Sequence, residues 1–208
     1  MDIPINAAVQ CTDGPGGHIT HIVLNPVSRK VTDVVVREPW LLGSEMVVPV
    51  GFIVKSTPET IYLRLARRDL AGMQSFIRTQ FIAPSDDFPA HNRPWVDHPP
   101  TGAMLSPYAM IGDEGITISY ETIPLDELAM SRGDRVEASD GRVGRIDEFL
   151  VNPETMAITH LVMREGHLWG QKDVTIPVVQ IDRITEGTVY LRLSKQQIEE
   201  LPALKVRR

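Results

Sequence analysis

One long stretch of this chain is written twice. The segment "TDGPGGHITHIVLNPVSRKVTDVVVRE", from Thr12 to Glu38, returns as "SDGRVGRIDEFLVNPETMAITHLVMRE", from Ser139 to Glu165. Asp13, Asn25 and Arg37 match Asp140, Asn152 and Arg164 at a constant offset of 127. The offset then becomes 128, with Pro49 matching Pro177 and Tyr62 matching Tyr190, so the second copy holds one extra residue in the loop after "WLLGSE" and "LWGQK". The likeness runs on through "ETIYLRL" and "GTVYLRL" to Met73 and Leu201. A period this long, present twice, marks a duplicated domain rather than a solenoid of short repeats. The chain therefore divides into an N-terminal copy over residues 1–76, a connector over 77–131 and a C-terminal copy over 132–208.

Copies of roughly 65 to 70 residues bury only a modest core, so packing against each other or against a partner adds to their stability. Within each copy the apolar pattern is that of strands. In the stretch "AITHLVMR", Ile158, Leu161 and Met163 are separated by polar or smaller residues, as half-buried antiparallel strands require. The turn signals recur in both copies. Asp13 with Gly14, and Asp140 with Gly141, form tight turns, followed by a second glycine at Gly17 and Gly144. Asn25 with Pro26, and Asn152 with Pro153, make the next turn, since Asn bonds back to nearby backbone and Pro presets φ. Regularly spaced short strands with Gly-rich turns predict a small barrel or sandwich. Each copy ends on a change of period: Ser194 is an N-cap for a short helix in which Ile198 and Leu201 share a face, and "ARRDLAGM" holds the same place in the first copy. The connector, rich in Pro with scattered aromatics, reads as extended and irregular, and "GITISYETIP" as a strand that returns the chain to order.

Laid out in this way, the residues resemble the PRC-barrel family, named for the cytoplasmic domain of the photosynthetic reaction-centre H subunit and shared by the C-terminal domain of the ribosome maturation factor RimM. The likeness rests on "GDRVEASDGRVGRIDEFLVNPETMAITHLVMRE", "VTIPVVQIDRI" and "VYLRLSKQQIEELP" in the second copy. In the first it rests on "TDGPGGHITHIVLNPVSRKVTDVVVRE", "MVVPVGFIV" and "IYLRLARRDL". The resemblance implies a mainly all-β chain: two tandem small antiparallel PRC-type β-barrels, each followed by a short helix and joined by a Pro-rich connector. It also implies a barrel used mainly to bind other proteins, and it supplies no catalytic residue. RimM-like proteins carry a different barrel ahead of the PRC barrel, and the H subunit has a transmembrane helix that this chain lacks.

Composition narrows the partners. A net charge of −6 argues against a general phosphate-binding surface, so nucleic acid is not the expected partner. The lone cysteine, Cys11, aligns with Ala138 and reads as a small apolar core position, with no disulfide available inside the chain. The start "MDIPINAAVQ" lacks the pattern of a signal peptide, and no window approaches the ~20 apolar residues of a spanning helix. The expectation is a soluble cytoplasmic protein without direct membrane insertion.

No constellation for chemistry emerges. His18 and His21 align with Arg145 and Glu148, so the copies share no His-based site; His91 and His98 lie in the connector near Asp86, Asp87 and Asp97 and read as solvated loop residues rather than metal ligands. No P-loop pattern is present, and "DGPGG" and "DGRVG" precede strands, which makes them hairpin turns rather than phosphate cradles. Asp147 and Glu148 are adjacent in a strand and are expected to face opposite ways, unable to converge on one atom. The expected function is therefore a non-enzymatic adaptor, with no cofactor or metal, that binds a protein partner and is able to form a homo-oligomer. The alternatives are a peripheral cytoplasmic subunit of a membrane complex resembling the H subunit, and a RimM-like maturation factor. Two surfaces stand out for partner contact. One is the pair of apolar loops carrying Trp40, Leu41 and Leu42 in the first copy and Leu168 and Trp169 in the second. The other is a basic corner where the last strand enters the helix: Arg64, Arg67 and Arg68 against Arg192 and Lys195.

Overall fold

A computed structural model describes residues 1–39, 43–82, 116–165 and 172–201. The chain is mainly β. The first copy runs through β1 (Asp2–Pro4), β2 (Ala8–Cys11), β3 (Gly14–Asn25), β4 (Lys30–Arg37), β5 (Glu45–Pro49), β6 (Ile53–Ser56), β7 (Thr60–Leu63), the helix α1 (Arg67–Ala71) and β8 (Gln74–Ser75). β9 (Ile77–Ile82) and β10 (Ile116–Glu121) follow. The second copy comprises β11 (Leu128–Ser131), β12 (Arg135–Ala138), β13 (Gly141–Val151), β14 (Ile158–Glu165), β15 (Lys172–Pro177), β16 (Ile181–Thr185), β17 (Thr188–Leu191) and α2 (Lys195–Glu199). Each element of the first copy from β1 to α1 recurs in the second at the offset read from the sequence; the positions matching β8 lie outside the described residues. Met1–Phe76 and Thr122–Arg208 make one compact unit; Ile77–Glu121 makes another, in which β9 pairs antiparallel with β10 from Ile77 opposite Glu121 to Ile82 opposite Ile116. Residues 122–131, at the end of the stretch read as connector, thus belong to the unit that holds both copies.

The two sheets share one topology. The order is β6-β7-β2-β3-β4-β5-β8 in the first and β16-β17-β12-β13-β14-β15 in the second. One ladder in each departs from the antiparallel expectation: β2 runs parallel to β7, and β12 parallel to β17. Among the described residues no ladder joins β5 to β6 or β15 to β16, so each sheet is open rather than a closed barrel. The reason is local. A proline, Pro49 or Pro177, ends the strand, and a 3-10 turn, Val50–Phe52 or Val178–Gln180, then carries the chain round before the next one begins.

The expected turn chemistry is in place. Asn25 Oδ1 accepts from the N–H groups of Val27 (3.1 Å) and Ser28 (2.9 Å), and Asn152 Oδ1 from Glu154 (2.9 Å) and Thr155 (3.2 Å). Ser194 caps α2 in a reciprocal box with Gln197. Asp13 and Asp140 do more than turn the chain. The Asp13 carboxylate accepts the N–H of Arg67 at 2.8 Å and that of Asp140 accepts Lys195 N–H at 2.9 Å, so each hairpin turn holds the first turn of its own copy's helix. Gly14 and Gly141 take positive φ beside them. Gly17 lies inside β3 at φ +125°, where a Cβ would sit 2.0 Å from the Arg37 carbonyl oxygen. Gly144 lies within β13 opposite Glu165.

What the repeat alone does not announce is that the copies exchange strands. β1 precedes the first sheet but pairs with β13 of the second, placing Ile3 opposite Phe149. β11 precedes the second sheet but pairs with β3 of the first, placing Met130 opposite Ile22. Ile3 and Met130 are repeat equivalents and both are fully buried. Midway, Val31 N–H donates to Met156 O and Ile158 N–H to Arg29 O, both at 2.9 Å, a pair of bonds that repeats itself at the same offset. The two copies are therefore related by a pseudo-twofold axis near Lys30 and Ala157, which face each other in an antiparallel bridge. A single apolar cluster, from Ile3 through Val34 and Phe149 to Ile198, draws on both copies. Each exchanged side chain buried there is worth ~1.5–3 kcal/mol.

Candidate functional site

The outer faces of the two sheets, turned away from the shared core, are where the copies part company. In the first, the ladders align Ser131, His21, Val35 and Val47 in one row across β11, β3, β4 and β5. The equivalent row in the second is Pro4, Glu148, Val162 and Thr175 across β1, β13, β14 and β15. The first row is covered by Phe76, which packs with Val23 and Val35 and lies 4.9 Å from the His21 ring. Burial lowers the His21 pKa from its ordinary value near 6.5, against the opposing pull of Glu45 and Asp134.

Pro4, Glu148 and Val162 of the second row line a cavity of about 450 Å³. Its described lining comes from both copies: Pro4, Ile5, Asn6, Ala7, Ala8, Pro58 and Glu59 from the first, and Arg132, Asp147, Glu148, Val162, Arg164 and Asp173 from the second. Strand exchange makes this possible, because β1 sets Pro4 opposite Glu148 of β13 and the chain then runs through residues 5–8 into the first sheet. The rim is set by one carboxylate. Asp147 Oδ1 accepts from Arg132 Nη2 at 2.6 Å and Nε at 2.7 Å, Arg164 Nη2 stands 3.3 Å from it, and Arg164 Nε reaches Asp173 at 3.4 Å. Among the described lining residues, the carboxylates Glu59, Asp147, Glu148 and Asp173 stand beside the guanidinium groups of Arg132 and Arg164. Glu148 is only 8% exposed. Part-buried charged groups such as these keep more of their Coulomb attraction than a solvated patch does.

Asp147 and Glu148 both reach this cavity, which corrects the expectation that neighbours in a strand diverge. The register of β13 against β14 slips between Ile146 and Glu148. Such a bulge inserts one unpaired residue and breaks the alternation of faces. The first copy has the matching slip between Ile19 and His21, and Thr20 and His21 hydrogen-bond to each other at 3.0 Å. Sequence offers one signal of the site, the replacement of Thr20 and His21 by an acidic pair at the same repeat positions.

The basic corners are described in both copies, each with partners in its own copy. Arg67 Nε lies 3.7 Å from Asp13 and Arg192 Nε 3.5 Å from Asp182, pairs exposed enough to contribute little. Arg68 Nε is 3.5 Å from Asp69, and the Arg64 guanidinium sits 5.3 Å from the centre of the Phe52 ring. Lys195 is held at its backbone by Asp140 and packs over Gly141. Next to Arg67 and Arg68 a cavity of about 350 Å³ is also lined by Glu38, a buried carboxylate whose pKa burial raises. Cys11 and Ala138 are buried, the thiol shifted upward by burial and then by Asp13 and Glu38. Trp40, Leu41, Leu42, Leu168 and Trp169, like His91 and His98, lie outside the described residues.

Among the described residues no group of three or more His, Cys, Asp or Glu is placed to hold a metal ion, and no helix is long and apolar enough to cross a membrane. No protein-family model and no curated protein sequence matches the chain.

Proposed function

We propose that this chain is a non-enzymatic protein-binding module made of two PRC-type copies, and that it takes a cationic side chain of a partner protein into the cavity over Glu148. One observation carries the reading. The copies agree in the order of their first seven strands, in turns and in helix exits, yet on one outer face the first packs Phe76 while the second lines a charged cavity with residues of both copies. Duplicated modules that bind a ligand at a shared seam gain a site that neither has alone. The carboxylates of Glu59 and Glu148 give specificity for a basic group, and the Arg132–Asp147–Arg164–Asp173 chain holds the rim in one arrangement before binding, which lowers the entropy cost of association.

The test places a photo-crosslinking residue at position 59, on the rim, in the full chain in its native cell, with position 54 as a control outside the cavity. A defined protein adduct from position 59, weakened at least tenfold by Glu148→Gln, is the expected result. No adduct from position 59, or one indifferent to Glu148→Gln and equally formed from position 54, overturns the proposal.

A further inference from the structure

Just past the end of β4 the first copy buries a carboxylate that the fold gives nothing to bind. Glu38 is 7% exposed, and among the described residues its side chain makes no hydrogen bond and no ion pair. Its backbone is held in place, with Glu38 N–H donating to Ser44 O at 3.0 Å. Burial raises its pKa, and neither of the nearby arginines pulls it back down. A carboxylate taken out of water without a partner is destabilised, and perturbed groups of this kind gather where a ligand completes them.

Glu38 lines the cavity of about 350 Å³ beside α1. Two guanidinium groups line the same cavity nearer to solvent, with side chains 49% exposed at Arg67 and 89% at Arg68. Their own carboxylate partners, Asp13 at 3.7 Å and Asp69 at 3.5 Å, are themselves about half exposed, so these pairs are weak and open to a competing anion. Apart from Asp13, the rest of the described wall is Pro15, Gly16 and Ala71, small residues without charge. The second copy carries Arg142, Val143 and Glu199 at those three repeat positions, and Gln196 in place of Arg68. The small wall and the paired arginines are thus features of the first copy, where they accompany the buried carboxylate.

We propose that this cavity binds a small ω-amino acid: a short aliphatic chain with an ammonium group for Glu38 at one end and a carboxylate for Arg67 and Arg68 at the other. The signs of the charges select it. A lone cation meets two guanidinium groups on its way in, and a lone anion meets Glu38, whereas a molecule carrying both charges satisfies both ends. Depth selects the spacing, because one end of the site is buried and the other exposed, so the two charges of the guest sit apart rather than on one carbon. Its aliphatic middle rests on Pro15 and Ala71, an uncharged wall with a few placed polar groups, as is usual for small-molecule sites.

This cavity shares no described lining residue with the one over Glu148, and the inference does not rest on the protein-binding function proposed above. Its test adds γ-aminobutyrate and, separately, ε-aminohexanoate to the full isotope-labelled chain and follows the amide resonances by NMR, with butylamine and butyrate as single-charge controls. Saturable shifts at Gly16, Glu38 and Arg68 from at least one of the two amino acids are expected, with at least tenfold weaker binding of either control. Glu38→Gln keeps the shape of the side chain and should weaken binding at least tenfold. Ala71→Glu, which installs the second copy's residue on an exposed helix position, should do the same while leaving the far-UV circular dichroism spectrum unchanged. No saturable shift from either amino acid, a control that binds as tightly, or binding indifferent to either substitution overturns the proposal.

Discussion

Replacing Gly17 by alanine separates two effects that a glycine substitution usually confounds. Gly17 and Gly43 both have positive φ, +125° and +74°. A Cβ at Gly43 meets nothing within 4 Å, whereas at Gly17 it falls 2.0 Å from the Arg37 carbonyl oxygen and 2.9 Å from the Arg37 carbonyl carbon. Gly43→Ala therefore carries only the conformational cost of a left-handed residue, ~1–2 kcal/mol. Gly17→Ala adds a backbone clash that no rotamer change can relieve. Ordinary contact needs more than an ångström of separation between β3 and β4, in the longest ladder of the first copy. The expected total exceeds ~4 kcal/mol, the range reserved for named backbone or core failures. At ~2–4 °C per kcal/mol for a chain of this size, the melting temperature should fall by roughly 8 °C or more for Gly17→Ala and by under about 8 °C for Gly43→Ala. Thermal unfolding followed by far-UV circular dichroism reads both. If the two variants melt together, close backbone approach is not what requires glycine at position 17.

Three further outcomes follow from particular contacts. Burial holds His21 below its ordinary value near 6.5, so its contribution to stability is present above that value and is lost as pH falls through the lower folded-state value; His21→Phe should flatten the acid limb of a stability–pH profile measured by urea unfolding. Burial raises Asp33 and Glu127 above their ordinary values near 3.8 and 4.5, so their contribution is greatest below those values and fades as pH rises through the raised ones. Asp33→Asn should accordingly raise the urea midpoint at pH 7 more than at pH 4, and an equal effect at both would refute this assignment. Asp140→Ala removes the carboxylate that accepts Lys195 N–H, and should cost ~0.5–2 kcal/mol with loss of amide protection confined to α2 and its flanking turn.

Much of the architecture is legible because the repeat displays it twice. Asn25 and Asn152, Asp13 and Asp140, and Ser194 with Gln197 are local signals: each bonds to backbone two to a few tens of residues away, through side chains whose chemistry permits little else. The strand exchange is not local. β1 has three residues and β11 four, too short for any period to show, and Ile3 pairs with Phe149, well over half the chain away. Sequence alternation sends Asp147 and Glu148 to opposite faces, but the bulge breaks it and the two line one cavity. The open edge of each sheet is hidden for a related reason, since in sequence a proline and a 3-10 turn look like any other corner of a barrel. The cavity itself follows from exchange and bulge together, so neither copy read alone contains it.

The central claim is that the copies fold as one body because each completes the other. Native-state hydrogen exchange tests it directly, by comparing the opening free energies of Val34 in β4 and Leu161 in β14, with and without Ile3→Ala. Ile3 belongs to the first copy in sequence but lies against Phe149 of the second, in a core common to both. The account predicts equal opening free energies for the two amides, falling together by ~2–5 kcal/mol in the variant. A fall at Leu161 with Val34 unchanged would show two modules that merely touch, and would contradict it.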